Sequence, residues 1–142
     1  MNETWKLLQL PAHAESLQRL RVFVREQALD CGFTSGCADD LALAVNEACM
    51  NVIQHGYCGA AGSIELSAGA IVGGMEIRVR DDAMPVSMAD WHPRALDDVR
   101  PGGLGVHFIR EIMDEVSYLP SPDQTGNLLS MKKYRSSQST DS

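Results

Sequence analysis

The sequence has few basic residues, and this shortage limits the kind of partner that it can bind. Its 142 residues include 12 lysines and arginines against 19 aspartates and glutamates, so the formal net charge is -7. Proteins that bind nucleic acid use clusters of basic side chains to neutralise phosphates. The acidic balance therefore argues against DNA or RNA as a partner and fits a protein partner better.

The chain also lacks cysteine motifs and long apolar runs. The four cysteines, Cys31, Cys37, Cys49 and Cys58, form no CxxC pair and no zinc-type Cys/His spacing. Cys49 falls in a predicted helix, where we expect a small buried apolar residue. No signal-peptide pattern opens the sequence, and no apolar run is long enough to cross a bilayer. These absences predict a reduced, cytoplasmic protein with no membrane partner.

Hydrophobic periodicity predicts alternating strands and helices. Apolar residues three and four apart predict helices, and alternation of apolar with polar residues predicts strands. The predicted helices cover residues 14–29, 35–56 and 106–116, and the predicted strands cover residues 5–10, 63–71, 73–82, 116–119 and 127–133. This pattern predicts an α+β two-layer sandwich, in which a mixed, mainly antiparallel sheet carries helices on one face. We expect one domain over residues 1–134 and a disordered polar tail over 135–142.

Three polar residues four apart mark the second predicted helix. Glu47, Asn51 and His55 form a row beside an apolar stripe, so their side chains can face one cleft. A carboxylate can act as a base, and an amide oxygen is a suitable ligand for Mg²⁺. The alternative is an ordinary polar row on the surface of an amphipathic helix, and the spacing alone favours that alternative.

Two further segments bear on this choice. Asp81 lies at the end of a predicted strand, where its carboxylate could accept a hydrogen bond from an amine or simply start a turn. The segment GGLG, residues 102–105, precedes the third helix, whose first N–H groups favour a phosphate. The same glycines could also simply permit a turn from loop to helix. Residues 82–101, between these segments, contain three prolines and no periodicity, which is typical of a functional lid.

In their order along the chain, these segments resemble the motifs of the GHKL ATPase superfamily, and most closely its anti-sigma factor/serine-protein kinase branch. The N box is matched by VNEACMNVIQHGY (45–57), the first glycine box by VRDDAMP (79–85), and the second by GGLGVHFIREIMDEVSY (102–118). The resemblance covers residues 7–134 and implies the GHKL, or Bergerat-type, ATP-binding fold.

The resemblance also implies a site for ATP and Mg²⁺. Asn51 would ligate Mg²⁺, Glu47 would orient or deprotonate an attacking hydroxyl, and Asp81 would bind the adenine amine. Phosphoryl transfer needs mainly positioning and charge neutralisation, so these groups and a ring of backbone N–H groups could suffice. The implied cofactor-binding set is Asn51, His55, Asp81, Ala83, Gly102, Gly103, Leu104 and Gly105.

Two questions stay open, one about the arginines of the predicted lid and one about the first glycine box. The lid covers residues 86–101, and its Arg94 and Arg100 could reach phosphate oxygens or simply be solvated. Ala83 and Pro85 stand where the family has glycines. A methyl group at residue 83 matters if the backbone needs a positive φ or passes close to the base. These departures bear on nucleotide affinity more than on the fold.

The resemblance implies a serine/threonine-protein kinase of the partner-switching type. It would bind a sigma factor, or another regulatory target, and phosphorylate a serine on a small STAS-type antagonist protein. Two alternatives stay open: a non-catalytic module that sequesters its partner with weak or no ATP binding, and an ATP-hydrolysing domain of another GHKL type. The family also implies homodimers. Arg19, Arg21 and Arg25 on the first helix form either a contact surface or a solvated face.

Overall fold

The structure is a computed structural model that describes residues 5–58, 60–83, 103–120 and 126–135. Over residues 103–107 it describes the backbone alone. Several predicted features lie outside the described residues: Pro85, the lid over 86–101 with Arg94 and Arg100, Gly102, and the tail residues 136–142.

Among the residues that the structure describes, five strands form one sheet in the order β1-β2-β3-β5-β4. Within the described residues, every pairing between neighbouring strands is antiparallel. Because β3 lies at the centre, its last residue is flanked by residues at the start of β2 and of β5. The strands are β1 Lys6–Pro11, β2 Ser63–Ile71, β3 Gly74–Asp81, β4 Glu115–Leu119 and β5 Asn127–Tyr134.

In the part of the chain that the structure describes, three α-helices accompany the sheet: α1 Ser16–Asp30, α2 Ser35–Asn51 and α3 Gly103–Ile112. Thr34 is the N-cap of α2, because its hydroxyl oxygen accepts a hydrogen bond from the N–H of Cys37 at 3.2 Å. No helix in the described part of the chain is long and apolar enough to cross a membrane.

The helices pack on one face of the sheet and enclose the core. α2 lies against both α1 and α3. The strand residues that alternation predicted to face inward are buried, namely Ile64, Leu66 and Ala68 on β2 and Met75, Ile77 and Val79 on β3. Cys49 is fully buried on α2, as predicted, and burial raises the pKa of its thiol. This packing confirms the predicted two-layer α+β architecture.

Two of the three arginines on α1 bind α2. Arg21 Nη1 donates a hydrogen bond to Asn46 Oδ1 at 2.7 Å, and Arg25 Nε donates to Asp39 Oδ1 at 2.7 Å. Arg19 is exposed. The arginine row is therefore partly an internal link between the helices, which leaves Arg19 for solvent or a partner.

The C-terminal end of α3 lies beside the N-terminal end of α2. Lys133 Nζ donates to the carbonyl oxygen of Ile112 at 2.8 Å. Cys37, Asp114 and Lys133 line one cavity of about 570 Å³. Because α3 also contacts α2, we infer that the two helices run antiparallel. The N-terminus of α3 is therefore directed toward the end of α2 that carries Asn51.

The prediction of a helix over residues 106–116 was wrong at both ends. The helix begins at Gly103 and ends at Ile112. The N–H of Asp114 donates to the carbonyl oxygen of Lys132 at 2.9 Å, and Glu115 begins β4. The apolar spacing fits a helix throughout, but pairing with β5 takes the backbone hydrogen bonds that a further helical turn would need.

Gly74 lies where β3 passes closest to the end of β5. A Cβ atom at this position would overlap the carbonyl oxygen of Lys133. We therefore expect Gly74→Ala to push the strands apart and to lower the free energy of unfolding by about 2–3 kcal/mol. Urea unfolding followed by circular dichroism measures the change.

Gly36→Ala is the matched control for this variant. Nothing lies within 4 Å of a Cβ atom at residue 36, and alanine favours a helix over glycine by up to about 1 kcal/mol. Unfolding midpoints that fell equally in both variants would contradict the close approach of the two strands.

Candidate functional site

α2 presents Glu47 and Asn51 one turn apart near its C-terminal end. Both residues are half-buried, and within the described residues neither side chain makes a hydrogen bond or ion pair. The neighbouring Asn46 differs, because its amide oxygen accepts from Arg21 and its amide nitrogen donates to Met50 Sδ at 3.5 Å. Asn46 is therefore used in packing, whereas Glu47 and Asn51 keep their polar groups for water or a ligand.

The predicted row of three residues is interrupted after Asn51. Val52–Gly56 form a π-helical turn, which the N–H of Tyr57 closes by donating to the carbonyl oxygen of Val52 at 2.8 Å. A π turn closes on the fifth residue back rather than the fourth, so His55 no longer stands one α-helical turn beyond Asn51. His55 is exposed. Its role in binding stays a prediction.

Asp81 ends β3 as a buried carboxylate, with 4 % of its surface exposed. Its Oδ1 accepts two hydrogen bonds, from the N–H of Ala83 at 2.9 Å and from the side-chain amide of Asn127 at 3.0 Å. Its Oδ2 accepts none from the residues that the structure describes. A carboxylate with one oxygen held and the other available is suited to bind an N–H donor of a ligand.

The surroundings of Asp81 include groups that raise its pKa and groups that lower it. Burial raises the pKa of Asp81 above its ordinary value of 3.8, and the charge of Asp82 adds to this rise. The hydrogen bonds from Asn127 and Ala83 lower the pKa, and the net effect is a raised pKa. A ligand N–H directed at Oδ2 would favour the ionised carboxylate further.

Ala83 occupies its place in the first glycine box without backbone strain. Among the described non-glycine residues, Cys58 is the one with a positive φ, at 53°. Ala83 is buried, and a Cβ atom added at Gly56 would lie 3.1 Å from the Ala83 Cβ. The methyl group of Ala83 therefore lies against a residue that has no side chain. Residue 83 does not need the positive φ that glycine would allow.

Two residues of the site were missed in the sequence. Asn127 begins β5 and binds Asp81 across the sheet. Tyr57 contacts the residue that follows Asp81, since its hydroxyl oxygen accepts from the N–H of Asp82 at 2.8 Å. Asn127 lies 46 positions after Asp81, so no local spacing connects them. The one available signal was an asparagine directly after the turn residue Gly126.

The N-terminus of α3 contributes the third part of the site. Gly103, Leu104 and Gly105 lie in its first turn, where backbone N–H groups have no partner within the helix. The 10 residues of α3 span about 15 Å at 1.5 Å per residue. On the inferred antiparallel course, this length would bring the first turn alongside the half of α2 that carries Glu47 and Asn51. The partial positive charge of a helix N-terminus favours an anion there.

These parts together define a class of protein. One helix carries a carboxylate and an amide with available polar groups, the central strand ends in a buried aspartate, and a further helix that contacts the first begins with Gly103, Leu104 and Gly105. Groups of these kinds bind amines, metal ions and phosphates in proteins, and together they are typical of a nucleotide-binding domain built on an α+β sandwich.

Comparison with known proteins identifies the family. The model of the histidine kinase-like ATPase domain matches residues 10–133. Serine-protein kinase RsbW of Bacillus subtilis (strain 168) is 27 % identical over 143 residues, covering 94 % of this chain and 88 % of that protein. The protein of the same name from Halalkalibacterium halodurans is 30 % identical over 133 residues, covering 88 % and 80 %. The chain belongs to the histidine kinase-like ATPase family and, within it, to the anti-sigma factor/serine-protein kinase branch.

Solved structures share this fold. The RsbU and RsbW domains of Rv1364c from Mycobacterium tuberculosis align with a TM-score of 0.62 at 16 % identity, over 91 % of this chain and 32 % of that longer chain. The histidine kinase domain from the Erythrobacter litoralis EL346 blue-light activated histidine kinase aligns with a TM-score of 0.58 at 19 % identity, over 92 % and 64 %. The likeness concerns the fold alone, and it confirms the predicted GHKL-type sandwich.

The contact between Gly56 and Ala83 predicts a compensating pair of substitutions. Gly56→Ala would press two methyl groups together, so we expect it to lower the free energy of unfolding by about 1–2 kcal/mol. In the background of Ala83→Gly the same substitution meets no methyl group, and its cost should fall by about 1 kcal/mol. Urea unfolding of the four proteins in this double-mutant cycle measures the coupling.

Gly36→Ala, introduced into the same two backgrounds, controls for a general effect of added methyl groups, because residue 36 has open space around it. An equal cost of Gly56→Ala in both backgrounds would show that the two residues do not contact each other.

Proposed function

We propose that this chain is an ATP- and Mg²⁺-dependent serine/threonine-protein kinase that acts on a protein partner. The observation that carries the proposal is the pair Glu47 and Asn51, two half-buried polar residues without a protein partner among the described residues. They lie on the half of α2 toward which the first turn of α3 is directed. Polar groups kept unpaired beside a helix N-terminus favour binding over packing as their role.

In this proposal, the adenine amine, the phosphates and Mg²⁺ each have a partner among the described residues. The exocyclic amine of adenine would donate to Asp81 Oδ2, while Asn127 and the N–H of Ala83 hold Oδ1. The phosphates would accept from backbone N–H groups in the first turn of α3. Asn51 would hold Mg²⁺, which neutralises phosphate charge when bound. These donors and acceptors fit the nucleotide that the family binds.

The chemistry assigned to Glu47 is that of a general base. Its carboxylate would take the proton of a serine or threonine hydroxyl on the partner while the hydroxyl oxygen bonds to the γ-phosphorus and ADP leaves. Within the described residues, Glu47 has no salt bridge to a basic side chain. Its carboxylate is therefore available to orient a hydroxyl.

The partner is a protein rather than a nucleic acid. Relatives of this chain are named serine-protein kinase RsbW, and one solved neighbour holds RsbU and RsbW domains together. The net charge of -7 also disfavours a nucleic acid. By this family relation, the kinase would bind a sigma factor or similar regulator as a homodimer in the cytoplasm. It would phosphorylate a serine on a STAS-type antagonist.

Label transfer from γ-labelled ATP to a candidate antagonist, in the presence of Mg²⁺, tests the proposal. We expect Glu47→Gln to lower the rate of transfer by about 10²–10³-fold because it removes the base. The affinity for ATP should stay within about threefold, since the amide keeps the size of the side chain. Initial rates and a nucleotide titration on the same protein separate the two effects.

Glu26→Gln is the matched control, because it makes the same chemical change at an exposed position on α1. Wild-type rates from Glu47→Gln would refute the role of Glu47. Tight binding of the antagonist or regulator by the wild type without any transfer of label would instead favour the partner-sequestering module.

Asp81→Asn separates nucleotide binding from folding. The new amide can keep an oxygen where Oδ1 accepts its two hydrogen bonds, but it puts an NH₂ group where adenine would donate. We expect the affinity for ATP to fall at least about tenfold, because two donors then face each other. Isothermal titration at pH 7 measures this loss.

The same variant tests the pKa of Asp81. The folded state holds this proton more tightly than the unfolded state does, so the free energy of unfolding should decrease as the pH rises from 3.8 through the raised pKa. Asp81→Asn should lose this component of the pH profile, and Asp40→Asn, an exposed control on α2, should keep it. Identical profiles for wild type and Asp81→Asn would contradict the buried carboxylate.

A further inference from the structure

Tyr57 connects the end of the helix that carries Asn51 to the end of the strand that carries Asp81. It follows the π-helical turn directly, and its N–H closes that turn on Val52. Its half-buried ring packs on the core. The ring also lies so close to Gly62 that a Cβ atom there would overlap it. The position of this ring is therefore restrained by the core and by Gly62.

The hydroxyl of Tyr57 completes the hairpin of β2 and β3 at its open end. It donates to the carbonyl oxygen of Ser63 and accepts from the N–H of Asp82, both at 2.8 Å. The last paired residues of this ladder are Ile64 and Asp81. Ser63 and Asp82 therefore face each other one position further on, and the hydroxyl bridges them in place of the next backbone hydrogen bond.

This bridge fixes the backbone on which the Asp81 carboxylate depends. The Asp82 N–H belongs to the peptide group that leaves Asp81, and the next N–H, that of Ala83, donates to Asp81 Oδ1. Holding the first N–H therefore restrains the turn that brings the second N–H to the carboxylate. Asn51 ends α2, and the π-helical turn separates it from Tyr57, six positions later. The hydroxyl of Tyr57 thus connects the backbone beside the proposed amine-binding residue, Asp81, to the helix end that carries the proposed metal ligand, Asn51.

We propose that Tyr57 is a positioning residue that sets the adenine selectivity of the site. Its hydroxyl holds the turn after Asp81 so that Oδ2 is directed at the position of the exocyclic amine. This inference rests on the proposed nucleotide binding. It predicts that loss of the hydroxyl weakens recognition of the amine more than it weakens the hold on the phosphates.

Tyr57→Phe tests this role, because it removes the hydroxyl and keeps the ring. Asp82 is exposed, so water can replace the lost bond there and the variant is expected to fold. The measurement is the affinity for Mg²⁺-ATP and for purine riboside triphosphate, which lacks the 6-amino group. We expect the preference for ATP over this analogue to fall about fivefold, the size of one hydrogen bond. Affinity for the analogue should change less than twofold.

Tyr134→Phe is the matched control. It also removes a phenol hydroxyl from β5, away from Asp81, where that hydroxyl donates a hydrogen bond to Glu115 Oε2 at 2.9 Å. Its preference for ATP should equal that of the wild type. Amide hydrogen exchange in the nucleotide-free proteins provides a second readout, in which the Asp82 N–H should exchange faster in Tyr57→Phe and not in Tyr134→Phe.

The outcomes separate this inference from the proposed function. A wild type that binds ATP, together with an unchanged preference in Tyr57→Phe, would overturn the positioning role alone. Equal loss of affinity for both nucleotides in Tyr57→Phe would do the same, because it would indicate general loosening of the fold. A wild type that binds neither nucleotide would overturn the proposed function and this inference with it.

Discussion

The buried carboxylate of Asp81 is the constraint on which the rest of the site depends. A charge at the end of a central strand is costly unless donors surround it. The chain supplies them from its own turn at Ala83 and from the neighbouring strand at Asn127. Gly126 lies just before β5, where a Cβ atom would overlap the carbonyl oxygen of Asp81. The end of β3, the turn after it and the start of β5 therefore depend on one another for their positions. Together they hold one carboxylate oxygen of Asp81 and leave the other available.

In the helical layer, α2 combines packing residues with polar residues that stay available. Most of α2 is used for stability, with buried apolar residues and with Asn46 and Asp39 bound to arginines of α1. Toward its C-terminal end, the half-buried Glu47 and Asn51 keep polar groups without a partner among the described residues. The π-helical turn follows at once, and π turns are frequent at functional sites. Packing contacts and available polar groups thus lie on different lengths of one helix.

The sequence predicted the elements well and their ends less well. Alternation in β2 and β3 gave the buried residues of the sheet, because the pleat repeats every second residue wherever one face is covered. The end of α3 was misplaced since its apolar spacing continues to fit a helix after β4 has begun to pair with β5. The interruption at Val52–Gly56 was missed because a π turn leaves no distinct pattern in the residue types. Ala83 proved compatible with its position because Gly56 lies opposite it.

By itself, the sequence determined the fold class, the family and the identity of Glu47, Asn51 and Asp81 as candidate site residues. Those inferences depend on local spacing and on motif order, which a linear chain carries in full. The tertiary structure alone decided which groups hold Asp81, namely Asn127 from β5 and the turn fixed by Tyr57. Strand register and the packing of a helix end bring together residues that are far apart in the chain. No periodicity within one segment encodes contacts of that kind.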